Sequence, residues 1–260
     1  FSVPSPNIFP GDKDATLAIA RLLNENMAAL SKALPDRFRF FATTPLPHVN
    51  ASITEAQYAL SSLGALGVAL SSNHDGHYLG DRLFTPFFAA MDDRQSIVFL
   101  HPSEPLLKVH KTLIKANPTA HSPVPRTMLD LALSETLTNY TRLDFIIPHL
   151  GGSFPSIIDR LSERGYTIFL LRVFVALTLS FSCWWDSAGF TYSHQLGSLL
   201  AYNIPPAFLL YGTDYPYVPP SVVDASAEAM VNSPFLNKEQ KRKVRSENAR
   251  RLFASRNPAG

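Results

Sequence analysis

Three ionisable side chains stand directly behind apolar, β-rich runs. His101 follows Ile97-Val98-Phe99-Leu100, His149 follows Phe145-Ile146-Ile147-Pro148, and Asp214 follows Leu209-Leu210-Tyr211-Gly212-Thr213. In a parallel α/β barrel the C-terminal strand ends meet at one mouth, so two imidazoles and a carboxylate would face one another there. Imidazole and carboxylate both ligate divalent cations and both carry protons, so the set suits metal binding and acid/base chemistry. Periodicity does not bring the three together; only a fold can.

The elements that would position them are legible. Short apolar runs alternate with longer amphipathic stretches, the pattern of βα units around a parallel sheet. Strands are predicted at residues 37–43, 66–72, 96–101, 144–149, 185–188 and 208–214. Helices are predicted at 14–34, 53–63, 83–93, 124–140, 156–164, 194–202 and 221–231, with a basic helix over 238–254 closing the chain. Prolines sit at the joints, as in Pro45-Leu46-Pro47 and Pro216-Tyr217-Val218-Pro219-Pro220. No repeat or linker divides the sequence, which predicts one domain over residues 1–260.

Composition narrows the function classes. The chain has 260 residues, 46% of them hydrophobic, and a formal net charge of +2 with the charges interspersed. That length and apolar content can bury a full core. The charge leaves no footprint for nucleic acid or an anionic membrane. A lone cysteine, Cys183, excludes an intramolecular disulfide and a cysteine-rich zinc site, and predicts a reducing, cytoplasmic setting. The apolar stretch 168–185 is interrupted by Arg172 and is borderline against the ~20 residues a span requires, so no membrane segment is expected.

The motifs carry a resemblance to a known family. Phe99-Leu100-His101-Pro102, Ile147-Pro148-His149-Leu150-Gly151-Gly152-Ser153-Phe154-Pro155 and Tyr211-Gly212-Thr213-Asp214-Tyr215-Pro216 occur in that order. Further matches are Arg37-Phe38-Arg39-Phe40-Phe41-Ala42, Tyr78-Leu79-Gly80-Asp81 and Glu247-Asn248-Ala249-Arg250-Arg251-Leu252-Phe253. Together they resemble the amidohydrolase-related, metal-dependent decarboxylases over almost the whole chain. That group includes aminocarboxymuconate-semialdehyde, γ-resorcylate and 6-methylsalicylate decarboxylases, and the flanking sequence looks most like the fungal 6-methylsalicylate enzymes.

The resemblance implies a TIM-barrel-like (β/α) fold and non-oxidative decarboxylation of a small aromatic or unsaturated carboxylic acid. It implies His101 and Asp214 as metal ligands and His149 as the catalytic histidine, with Asp214 a second candidate for proton transfer. Arg160 matches an arginine that reaches a substrate carboxylate across a homodimer interface, a task its planar donors suit. His77 is the candidate for pocket lining. The implied ion is zinc, with manganese the alternative, since mixed His and carboxylate donors accept either. No organic cofactor is needed if the conjugated ring takes up the electrons of the breaking bond.

Each residue also has a duller reading. A strand-end histidine is commonly structural, Asp214 could cap the following helix, and the basic run 238–251 could be a solvated face. His74 reads as pocket lining rather than a ligand. His48, His110, His121 and His194 have no supporting context. The paired glycines after His149 suggest close backbone approach to a ligand.

Two departures from the family pattern stand out. The family's first strand supplies a His-x-His or Glu/Asp-x-His pair of ligands that this sequence lacks, which predicts a barrel incomplete at its N-terminus, with about six strands where a closed barrel has eight. The apolar run 173–183 separates Leu170-Leu171-Arg172 from Trp184-Trp185-Asp186-Ser187-Ala188-Gly189, flanks the family joins almost directly, and reads as an aberrant insertion. Two rivals follow: a hydrolase of the same superfamily, and a non-catalytic remnant.

Overall fold

A computed structural model describes residues 3, 11–103, 124–156, 183–189, 191–192 and 194–254. The predicted helix 156–164 beyond Ser156, Arg160, His110, His121 and residues 168–182 lie outside the described residues.

Six strands form one parallel sheet: β1 (Ala42–Thr43), β2 (Gly67–Ser71), β5 (Ile97–His101), β6 (Asp144–Ile147), β7 (Cys183–Asp186) and β8 (Leu209–Leu210). Their spatial order, β1-β2-β5-β6-β7-β8, follows the chain order. A doubly wound sheet reverses direction at a switch point. A sheet whose every strand adds beside its predecessor instead curls towards a barrel. The remaining two strands, β3 (Asn73–His74) and β4 (His77–Tyr78), make a small antiparallel hairpin after β2. Among the described residues no pairing joins β8 back to β1.

Alternation along the strands separates two apolar layers. Phe41, Ala69, Ile97, Ile146, Trp184 and Leu210 cluster on one face with Leu252 of the last helix. Val68, Val98, Leu100, Phe145, Ile147, Cys183 and Trp185 face the other way, into the helix layer. The first group fills the barrel interior. Helix Asn248–Ala254 supports it: Leu252 is fully buried, Phe253 meets Phe41 at 6.1 Å, and Asn248 donates to the carbonyls of Pro206 and Leu209. The predicted solvated basic face is only partly that. Arg251 lies 5.0 Å over the Trp184 ring and donates to Ala207 O, its apolar stem packing where the charge alone would suggest water.

Because side chains repeat every two residues, the interior phase continues upward. His101 falls in register with Ile97 and Phe99, Asp186 with Trp184, Ser71 with Ala69, and Thr43 with Phe41. The strands thus deliver a polar layer above an apolar one.

Three boundaries differ from the sequence reading. The predicted strand 185–188 is Cys183–Asp186, because Cys183, Trp184 and Trp185 pair with Phe145, Ile146 and Ile147. Cys183, the last residue of the run that reads as an insertion, is buried in that ladder; the rest of the run, 173–182, lies outside the described residues. The predicted strand 208–214 pairs only over Leu209–Leu210, and Tyr211–Asp214 leave the ladder as a loop. At β1 only Ala42 and Thr43 pair with β2. The Asn24 side-chain amide of α1 (Lys13–Ala33) takes both the Thr43 N–H and its C=O, at 2.8 and 2.9 Å. A side chain there does the work of a neighbouring strand.

Among the described residues no helix is long and apolar enough to cross a membrane.

Candidate active site

His101 ends β5 with its ring partly accessible. Its Nδ1 lies 2.7 Å from the Pro102 carbonyl. A carbonyl has no proton to give, so Nδ1 carries the hydrogen and Nε2 is left free when the ring is neutral. His149 is fixed the same way, its Nδ1 donating to Ala188 O at 2.9 Å. When neutral, both imidazoles thus present an Nε2 lone pair, which can bind a cation or take up a proton.

The turn carrying His149 is wound the wrong way for most residues. His149 and Leu150 have φ of 53° and 50°, and Gly151 and Gly152 follow at 81° and 60°. Left-handed backbone costs a non-glycine residue about 1–2 kcal/mol. The surroundings hold it: the side-chain amide of Gln195 donates to the carbonyls of His149 and Gly152. A Cβ on Gly151 would sit 2.8 Å from the Trp185 ring, so the glycine lets the turn lie flat on that indole.

Asp214 also has a left-handed backbone, φ 62°, in the loop after β8. Helix Pro220–Asn232 starts at Pro219 with no side-chain cap, so Asp214 is not its cap. Burial lowers the His101 pKa; the Pro102 carbonyl and the Asp214 charge oppose that, and His149 adds to it. Burial raises the Asp186 pKa to about 6, against the Ala188 N–H and His149, with Asp214 pushing the same way as burial. His149 and Asp214 therefore stand within electrostatic reach of both His101 and Asp186. Asp186 had been noticed in the sequence only as part of a flanking motif. Its signal was available: it ends a strand in interior phase, as His101 does.

The donors are right in kind for a divalent cation, two imidazole nitrogens and carboxylates. The number falls short. Among the described residues no three His, Cys, Asp or Glu side chains are grouped closely enough to hold a metal ion. His101, His149 and Asp214, expected around one cation, do not form a closed ligand set among the described residues. His101 and Asp214 are two ligands, where three or four fix such an ion.

His77 and His74 divide sharply. His77 is exposed on β4, with Nδ1 2.7 Å from Asp81. His74 is buried against the Phe84 ring, its Nε2 without a hydrogen-bond partner among the described residues, and burial lowers its pKa to about 4 despite the Leu46 carbonyl. A depressed histidine pKa means that the unfolded chain binds the proton more readily. Stability is then complete above pH 6.5 and falls as the pH drops from 6.5 towards 4. The fall reaches roughly 3 kcal/mol. Urea unfolding at pH 7.5 and pH 4.5 should show that loss shrinking in a His74→Phe variant; an unchanged acid sensitivity refutes the assignment.

Comparison with known proteins fits this geometry. A profile of the amidohydrolase family matches residues 4–254. The chain belongs to the amidohydrolase family. It is 32% identical to the 6-methylsalicylic acid decarboxylase of Penicillium expansum, over 97% of this chain and 79% of that protein. It is 28% identical to decarboxylase yanB of Aspergillus niger, over 97% of this chain and 73% of that protein. Among solved amidohydrolase structures, an amidohydrolase II superposes with a TM-score of 0.88 at 28% identity, covering 97% of this chain and 82% of the other. A dihydroxybenzoic acid decarboxylase from Polaromonas, solved with bound manganese and 2-nitroresorcinol, superposes at 0.76 with 19% identity, over 97% and 77% of the two chains. The amidohydrolase fold accounts for the sequential parallel sheet and for a polar layer at its C-terminal end.

Proposed function

We propose that this chain, as one barrel domain, catalyses metal-dependent, non-oxidative decarboxylation of a small aromatic carboxylic acid of the 6-methylsalicylate type. One observation carries the reading: two imidazoles with Nδ1 tied to backbone carbonyls and Nε2 free, electrostatically joined to two carboxylates where the strands end. The decarboxylase names of its curated relatives support the substrate class.

Loss of carbon dioxide from an aryl carboxylate needs a proton at the ring carbon that bears it. His149, as imidazolium, gives its Nε2 proton to that carbon. The carbon–carboxylate bond then breaks, its electron pair restores the aromatic ring, and carbon dioxide departs. The balance is one carboxylate and one proton in, one arene and one carbon dioxide out. The Ala188 carbonyl stabilises the charged ring by accepting from Nδ1. Asp214, within the same field, is the alternative proton carrier. Arg160 and His77 are assigned to the substrate carboxylate and the pocket rim, and Arg160 implies a homodimer in which it acts across the interface. A single buried thiol, Cys183, suits a cytoplasmic protein.

His101 Nε2 and the Asp214 carboxylate would hold a zinc ion, or manganese in its place. Such an ion would hold the substrate carboxylate and neighbouring oxygen and stabilise negative charge there. Treatment with a strong chelator should abolish carbon dioxide release, and added zinc or manganese should restore it. Metal content by mass spectrometry should be near one ion per chain and fall at least tenfold in His101→Ala. A chain that takes up no metal after loading overturns the metal assignment. Release of carbon dioxide without ring opening separates the decarboxylase from a hydrolase.

A further inference from the structure

We propose that Asp186 is a positioning residue for His149, acting through the Ala188 peptide; the proposal rests on the role given to His149 above. Two hydrogen bonds meet at Ala188. Asp186 Oδ1 accepts from the Ala188 N–H at 2.6 Å. The carbonyl of the same residue accepts from His149 Nδ1 at 2.9 Å. Ala188 thus joins carboxylate and imidazole through its two backbone groups, and the Asp186 anchor sets where its carbonyl points.

The surroundings leave that anchor little freedom. Asp186 is partly buried at the end of β7, its backbone fixed by pairing with Leu210 of β8. A Cβ on Gly212 would lie 2.0 Å from Asp186 Oδ1, so the loop after β8 packs directly on the carboxylate. Beyond Ala188 the chain turns at Gly189, φ 76°, and a Cβ there would lie 3.6 Å from His149 Nδ1. Ser226 Oγ donates to the Gly189 carbonyl at 2.8 Å, so the far side of the turn is tied to helix Pro220–Asn232. Between these fixed points the Ala188 peptide has one orientation, and His149 takes its tautomer from it. The His149 backbone sits in a left-handed turn that does not by itself choose a ring orientation, so an outside acceptor must.

Asp186→Ala removes the anchor, while Asp186→Asn keeps an oxygen that accepts from Ala188. Long-range ¹H–¹⁵N spectra of the imidazoles, with His149 assigned by comparison with His149→Asn, report the tautomer directly. In the native protein and in Asp186→Asn, neutral His149 should carry its proton on Nδ1; in Asp186→Ala it should lose that preference. With an aromatic acid substrate, Asp186→Ala should lower kcat about 10–100-fold with KM within about threefold, and Asp186→Asn should recover most of the loss. A native Nδ1–H signature in Asp186→Ala, or Asp186→Asn as impaired as Asp186→Ala, overturns the proposal. If the native protein decarboxylates nothing, the function reading fails and the tautomer alone decides the role of Asp186. If Asp186→Ala does not fold, the Asn variant against Asp186→Leu supplies the same contrast.

Discussion

Replacing His149 with asparagine is expected to lower decarboxylation by roughly 10²–10⁴-fold, the range for loss of a positioned acid. Asparagine is chosen for the backbone. With φ at 53°, His149 occupies a conformation that asparagine tolerates better than alanine. Its side-chain amide also has a donor for Ala188 O, the acceptor His149 now uses. The variant should therefore fold with a Tm close to native while losing the only group on that turn able to pass a proton at neutral pH. Carbon dioxide release and thermal unfolding measured on the same preparation separate the two effects. A variant keeping more than a tenth of native kcat would move the proton transfer to Asp214.

Gly67→Ala carries the largest expected loss of stability. Gly67 opens β2 opposite Ile97, and a Cβ there would lie 2.2 Å from the Ile97 carbonyl oxygen and 2.8 Å from its Cβ. Neither contact can be relieved by turning a flexible side chain. β2 and β5 would have to part at the start of a five-pair ladder that ends at His101. Overpacking that forces backbone movement in a core costs about 3 kcal/mol, which for a chain of this size corresponds to a Tm lower by roughly 10 °C. A Tm within 2 °C of native would mean that the strands separate freely, and that the register delivering His101 is not rigid.

Several parts of the fold were legible because they depend on local pattern. All six sheet strands were predicted, since strands buried on both faces read as apolar runs bounded by turn residues. Their ends were less well placed. A strand stops where its partner stops, and the sequence of β8 continues apolar after pairing has ended at Leu210. Cys183 shows the same limit: an apolar residue in an apolar run shows its membership of a sheet only through Phe145 beside it.

For the site, types and order could be read but not partnership. His101 and His149 were visible as strand-end histidines, yet their tautomers come from Pro102 and from Ala188, the latter 39 residues away in sequence. His74 and His77 look alike in Asn73-His74-Asp75-Gly76-His77, and one is buried with its pKa depressed while the other is exposed beside Asp81. Solvent access is a property of the packed hairpin, not of the two intervening residues.

The sequence by itself determined the α/β class, the strands, the family kinship and the residues able to do chemistry, because these follow from side-chain type and short-range period. The tertiary structure decided that the sheet runs in sequential order, that His149 and Asp214 come within electrostatic reach of both His101 and Asp186, and that Gly151 accommodates an indole. Those outcomes depend on contacts between segments tens to hundreds of residues apart, and such distances enter the physics only once the chain has closed on itself.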